Sequence, residues 1–205
     1  MNIDKNTYKI DKKNFYKTLY DKKQIILAGS LRKENYHIKR LQKKEYGQTK
    51  TWPTYSISRE GEIFQHYDPK YYTDFMGIKD VDKHAISIVL ENMGVLFYDQ
   101  DSDKFLNWLY EECNEDKIFE RKWKKYRYWE QYTNVQFNSV IELCEYLCEK
   151  YYIELDCLGF NVHHEKTNNF EGIVTRSNYD VDFNDLNPSF NFREFLEKLE
   201  IDYIK

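Results

Sequence analysis

Between Gln24 and Ser30 the chain reads Gln-Ile-Ile-Leu-Ala-Gly-Ser, an unbroken apolar run closed by a glycine. So short a run, rich in Ile and Leu and stopped at a turn residue, predicts a central strand buried on both faces. Polar and apolar positions then alternate with a period of two on either side of Glu60-Gly61. The two arms are Thr54-Tyr55-Ser56-Ile57-Ser58-Arg59 and Glu62-Ile63-Phe64-Gln65-His66-Tyr67, and the pattern predicts a hairpin. Ala85-Ile86-Ser87-Ile88-Val89-Leu90 predicts another strand, closed by Glu91-Asn92-Met93-Gly94, and residues 172–176 predict a last one.

Helical spacing takes over at Phe137, Val140, Ile141, Cys144, Leu147, Cys148 and Tyr151, and Thr133-Asn134-Val135-Gln136 just ahead has the form of a capping box. This helix should lay its apolar stripe on one face of the sheet, with Glu142, Glu145 and Glu149 outward. A short C-terminal helix is expected around Phe195, Leu196 and Leu199. The Lys-rich stretch 32–46, with Ile38 and Leu41, reads as a weak helix or an ordered loop. Residues 95–132, rich in Trp, Tyr and acids, read as an insertion folded over the domain. Together the elements predict an α/β fold, a central mixed β-sheet flanked by helices.

Composition adds limits. At 205 residues the chain has the length of one domain, spanning 1–205. Its 32% charged residues are offset by 41% hydrophobic and 18% aromatic ones, so an ordered globular protein is expected. A net charge of −4 argues against general nucleic-acid binding, which needs a basic face to neutralise phosphates. No apolar run approaches the roughly 18 residues of a membrane span, so no membrane insertion is expected. Met1 to Asp11 is polar and lacks the apolar core of a signal peptide, which predicts a protein that is cytoplasmic at synthesis. Cys113, Cys144, Cys148 and Cys157 are expected to be reduced, the middle two inside the helical stripe.

The chemistry is read from similarity. The runs Tyr55-Ser56-Ile57-Ser58-Arg59-Glu60-Gly61-Glu62-Ile63 and Ile86-Ser87-Ile88-Val89-Leu90-Glu91-Asn92-Met93-Gly94, with Tyr126 to Gln136 and Asn184-Asp185-Leu186-Asn187-Pro188-Ser189-Phe190, stand in a familiar order. They resemble the type-2 N-acetylmuramoyl-L-alanine amidases of the peptidoglycan-recognition class, particularly versions found in phages and in bacteria with AT-rich genomes. The resemblance covers most of residues 20–196. It implies a zinc ion held by two His and one Asp or Cys, with an open position for water and the scissile carbonyl. It places Ala28 or Gly29 where the first His would stand, and Arg176 or Thr175 where the second would. Asp185 keeps the third position, with Asn187 the other candidate.

A methyl group cannot coordinate zinc, and a guanidinium adds fixed positive charge where a cation should sit. The resemblance therefore implies an amidase-like protein with a dismantled zinc site and no cofactor, in which an Arg176–Asp185 ion pair replaces the metal as a clip. Glu91 matches a carboxylate that some relatives use as an acid or base. His163-His164 with Cys157 or Glu165 is a local cluster of ligand types whose spacing fits no zinc motif. The run Arg121-Lys122-Trp123-Lys124-Lys125-Tyr126-Arg127-Tyr128-Trp129 interleaves cations with rings, which suits sugars or an anionic polymer, or simply an amphipathic cover. Ala28, Arg176, Asp185 and Asn187, with Tyr55 and Trp129, are expected to face the ligand, either a peptidoglycan fragment or a protein partner. The alternatives are an active zinc amidase with Glu91 catalytic, and a phage structural or host-molecule-capturing protein, in the host cytoplasm or the phage particle.

Overall fold

The computed structural model describes residues 1–31, 50–160, 162–183 and 186–202. Among them the chain forms β1 (Ile3–Asp4), β2 (Gln24–Gly29), β3 (Tyr55–Ile57), β4 (Ile63–Gln65), α1 (Lys79–His84), β5 (Ala85–Leu90) and β6 (Val95–Asp99). It continues with β7 (Lys104–Asn107), β8 (Ile118–Trp123), β9 (Tyr126–Glu130), α2 (Asn134–Tyr151), β10 (Gly172–Thr175), α3 (Arg176–Tyr179) and α4 (Phe192–Lys198). The Lys-rich stretch 32–46, His37, Asn184 and Asp185 lie outside the described residues.

Six strands pair in the order β1-β4-β3-β5-β2-β10. Strands β3, β5, β2 and β10 run parallel, while β4 is antiparallel to β3 and carries β1 parallel to itself, so the sheet is mixed. Every residue of β2 and β5 is buried, as their apolar runs require of strands covered on both faces. On one face Ile25, Leu27, Ile86, Ile88 and Ile173 meet Val140, Cys144 and Leu147 of α2. On the other, Ile26, Ala85 and Val174 meet Val81 of α1. The period of two within each strand sorts the side chains between these two layers.

Helix α2 keeps its predicted stripe, with Glu142, Glu145 and Glu149 exposed. Its cap is only half of the predicted box. Thr133 Oγ1 accepts from the Gln136 N–H at 3.2 Å, but the Gln136 side chain does not turn back to the cap. Its Nε2 donates to the carbonyls of Ile57 and Glu91 at 3.1 and 2.9 Å, buried main-chain acceptors at the ends of β3 and β5. The last strand also ends one residue early. Asn178 Oδ1 accepts from the Thr175 N–H at 2.6 Å, so Arg176 opens α3 and does not extend β10.

Residues 95–130 build a second sheet, antiparallel throughout, in the order β7-β6-β9-β8. The basic and aromatic run at 121–129 is thus a strand, turn and strand, with Lys124 at the turn in the left-handed region, φ 53°. The second sheet is tied to the first through Glu130, whose carbonyl accepts from Asn92 Nδ2 at 3.1 Å, just beyond β5, and whose carboxylate lies 3.0 Å from Arg59 Nη1, in the turn between β3 and β4.

Candidate functional site

In a sheet with parallel strands, ligands bind where the carboxyl ends of those strands open into a crevice. Here β5, β2 and β10 end together. The register pairs Gly29 with Leu90 and Thr175 with Leu27, so Arg176, the first residue of α3, follows directly on the last residue of β10, which is paired next to Ala28. The two positions expected to have carried imidazoles are therefore side by side. Ala28 is fully buried and presents a methyl group. The Arg176 guanidinium stands over the Phe183 ring at 4.5 Å and the Phe75 ring at 5.5 Å, a cation–π arrangement. Thr175, the other candidate, is buried, and its Oγ1 donates to Asn178 Oδ1 at 3.1 Å. Neither Ala28 nor Arg176 offers a lone pair to a cation. Among the described residues no three His, Cys, Asp or Glu side chains converge in a metal-binding geometry. His164 of the His pair is instead engaged locally, its Nδ1 accepting from the Lys166 N–H at 3.2 Å.

The neighbouring loop is held by a buried polar web. Asn92 Nδ2 donates to the Glu130 carbonyl at 3.1 Å, and Asn92 Oδ1 accepts from the Gly94 N–H at 2.7 Å. Asn187 Nδ2 reaches both Asn92 Oδ1, at 2.8 Å, and the Glu130 carbonyl, at 3.2 Å, while Asn187 Oδ1 accepts from the Ser189 N–H at 2.9 Å. These bonds occupy Asn187 as a clasp between the C-terminal segment and the loop after β5. The Glu130 carboxylate takes the Met93 N–H at 2.6 Å and lies 3.0 Å from Arg59 Nη1, in an ion pair with both side chains largely buried. Glu91 is buried, its N–H on the Ile57 carbonyl at 2.9 Å.

Besides Ala28 and Asn187, which are fully buried, two more of the expected ligand contacts have almost no accessible surface. Tyr55 sits in the main core with its hydroxyl 3.3 Å from Gln65 Oε1. Trp129 is fully buried, and its Nε1 donates to the Arg121 carbonyl at 2.8 Å. In each case the ring lies on the inward side of a strand, where alternation places the larger apolar group.

The second sheet bridges both sides of this edge. Trp108 Nε1 donates to the Leu31 carbonyl at 3.1 Å, just beyond β2. Lys124 Nζ donates to the carbonyls of Val181 and, at 2.6 Å, Phe183, just beyond α3. Phe183, the ring under Arg176, also walls a small cup of about 440 Å³ with Met76, Ile78 and Tyr179. A larger groove of about 1440 Å³ lies elsewhere, between Phe119 and Arg121 of β8, the start of α2 and Phe160, Phe190 and Phe192. Sequence reading missed Asn92, Glu130, Trp108 and Lys124 as tethers. Asn92 alone carried a signal, as a polar residue just after an otherwise apolar strand.

The family model for N-acetylmuramoyl-L-alanine amidases matches residues 24–180. The chain belongs to this family. Among solved structures it is similar to the amidase LysC from Clostridium intestinale URNW, at 14% identity and a TM-score of 0.58, over 98% of this chain and 99% of that one. It is also similar to AmiD from E. coli, a structure in complex with the substrate anhydro-N-acetylmuramic acid-L-Ala-D-gamma-Glu-L-Lys. That match has 12% identity and a TM-score of 0.58, covering 91% of this chain and 60% of AmiD. At such identities the likeness is one of fold. No curated protein sequence matches the chain significantly. The amidase fold expected from the sequence is thus the one found. The family's zinc is a poor fit to the side chains at Ala28 and Arg176.

Proposed function

We propose that this family member is a catalytically inactive amidase-like protein, with its zinc site dismantled, that binds a peptidoglycan fragment at the former catalytic edge. The observation that carries this reading is the pair Ala28, near the end of β2, and Arg176, directly after the end of the neighbouring β10, without a lone pair between them. Hydrolysis by this family's route needs a metal to lower the pKa of water and polarise the amide, and a carboxylate such as Glu91 has no activated water to serve without it. Binding needs only the cleft. The match to AmiD, whose structure holds a muramoyl peptide, supports a ligand of that class. Arg176 supplies a fixed positive charge that suits the carboxylates of such a peptide.

Metal analysis of the purified chain should return no stoichiometric zinc, and a muramoyl-peptide should bind without cleavage of its amide. Arg176→Glu should weaken that binding about ten-fold or more, the usual scale for losing a charge-assisted contact. One zinc per chain together with cleavage would overturn the reading. The family match itself favours a second reading, an active amidase whose ligands lie elsewhere. In that case Asp185→Ala should abolish cleavage.

A further inference from the structure

The second sheet carries a feature that neither a cleft nor a core explains. Of the exposed aromatic side chains among the described residues, Phe97, Tyr98, Trp108 and Tyr110 belong to this sheet and its turns, and only Tyr152 lies elsewhere. Tyr110 is 85% exposed, and Leu109 beside it 44%. Their turn is closed by Asn107, whose Oδ1 accepts from the N–H groups of Leu109 at 2.8 Å and Glu111 at 3.1 Å. A fixed turn therefore displays two large side chains to solvent, where burial would be favourable and nothing among the described residues supplies it.

Charge is divided across the same sheet. The β6–β7 flank, residues 99–112, carries Asp99, Asp101, Asp103, Glu111 and Glu112 against Lys104 alone. The β8–β9 flank presents Arg121, Lys122, Lys124, Lys125 and Arg127 around the half-exposed rings of Trp123, Tyr126 and Tyr128. In the strand order β7-β6-β9-β8 these are opposite sides of one sheet. Pairs within each flank, Lys104 with Glu112 and Arg127 with Glu120, leave the division in place.

We propose that this sheet is a self-association surface, in which the acidic flank of one copy, tipped by Leu109 and Tyr110, docks on the basic and aromatic flank of a second copy, head to tail. The two flanks are complementary in charge, and each offers what the other lacks: an apolar tip, and rings flanked by Arg121, Lys122 and Lys125 on which a tyrosine stacks. Aromatic anchors at the centre of a contact and charges at its rim are the usual division of labour in protein interfaces. Because the two flanks differ, the contact is heterologous, so it builds rings or open chains rather than a closed two-fold pair.

Sedimentation of the full chain over a range of concentrations, at low and high salt, tests this. The mean mass should rise with concentration at low salt and fall back as salt screens the flanks. Tyr110 has φ 61°, where glycine is at home, so Tyr110→Gly should keep or raise the melting temperature while weakening association about ten-fold or more. Lys122→Glu with Lys125→Glu should weaken it from the other flank. Mixing the two variants should restore a 1:1 pair, since each retains the flank the other has lost. A wild-type chain that is monomeric at every concentration, variants that associate like wild type, or a mixture that fails to pair would each overturn the proposal.

Discussion

Two buried titratable residues set opposing pH responses in the folded protein. His66 is fully buried between the Tyr8 carbonyl, 3.0 Å from Nδ1, and Ser56 Oγ, 3.0 Å from Nε2. Burial pushes its pKa down to about 4 from 6.5, against the smaller upward pull of the Tyr8 carbonyl. Between those values the unfolded chain binds a proton that the folded one refuses, so stability falls as pH drops from 6.5 to 4, by on the order of 3 kcal/mol. Asp82 works the other way. Burial lifts its carboxyl to about 6 from 3.8, although the Met76 N–H at 2.8 Å opposes the shift. The folded protein then keeps a proton that the unfolded chain has released, and stability falls as pH rises through that window. The two responses partly cancel between pH 4 and 6. His66→Gln should expose the Asp82 response, giving a protein that loses stability from pH 4 to 6 where wild type is flatter. Urea unfolding of both proteins across that range is the measurement, and parallel profiles would show that His66 is not held neutral.

At the scale of elements, the strands and the long helix were legible because each is decided by a local period. The runs at 24–29 and 85–90, short, apolar and closed by turn residues, read as strands, and the stripe from Phe137 to Tyr151 reads as a helix packed on a sheet. The second sheet was not legible. Its strands are half-exposed and carry aromatics and charges on both sides, so no clean alternation marks them. The edge with Ala28 and Arg176 was readable through similarity, whereas the roles of Asn187 and Gln136 depend on partners 40 or more residues away, which no local pattern encodes. Gln136 gives the sharpest test of such a tie. Gln136→Leu removes the side-chain donor from the buried Glu91 carbonyl and one of the two donors to the Ile57 carbonyl, which keeps the Glu91 N–H, and should cost about 1–3 kcal/mol. Removing the buried Gln136 Oε1, which has no partner, offsets only part of that. Gln136→Glu should be worse at neutral pH, where a carboxylate would face two carbonyl oxygens, and should recover on acidification as the acid regains a donor. Equal stability of both variants and wild type in urea would mean that the carbonyls find water.

For the whole molecule the question raised by the proposed function is whether this family's frame stands without a metal. A six-stranded mixed sheet, a helix on one face and a web around Asn92, Glu130 and Asn187 support the edge through protein contacts. A protein that binds zinc only when folded gains stability by mass action, about 4 kcal/mol when free zinc exceeds its dissociation constant a thousand-fold. The wild-type melting temperature should therefore be indifferent to zinc and to chelator. The double substitution Ala28→His and Arg176→His puts two imidazoles at the ends of the neighbouring strands β2 and β10, with Asp185 the third group that the family resemblance assigns. That variant should melt lower than wild type in chelator, since the Arg176 stack on Phe75 and Phe183 is lost, and should be stabilised by added zinc. A zinc response in the wild type would place ligands outside Ala28 and Arg176 and undo the proposed loss of the site. No response in the variant would mean that the edge has drifted in shape as well as in composition.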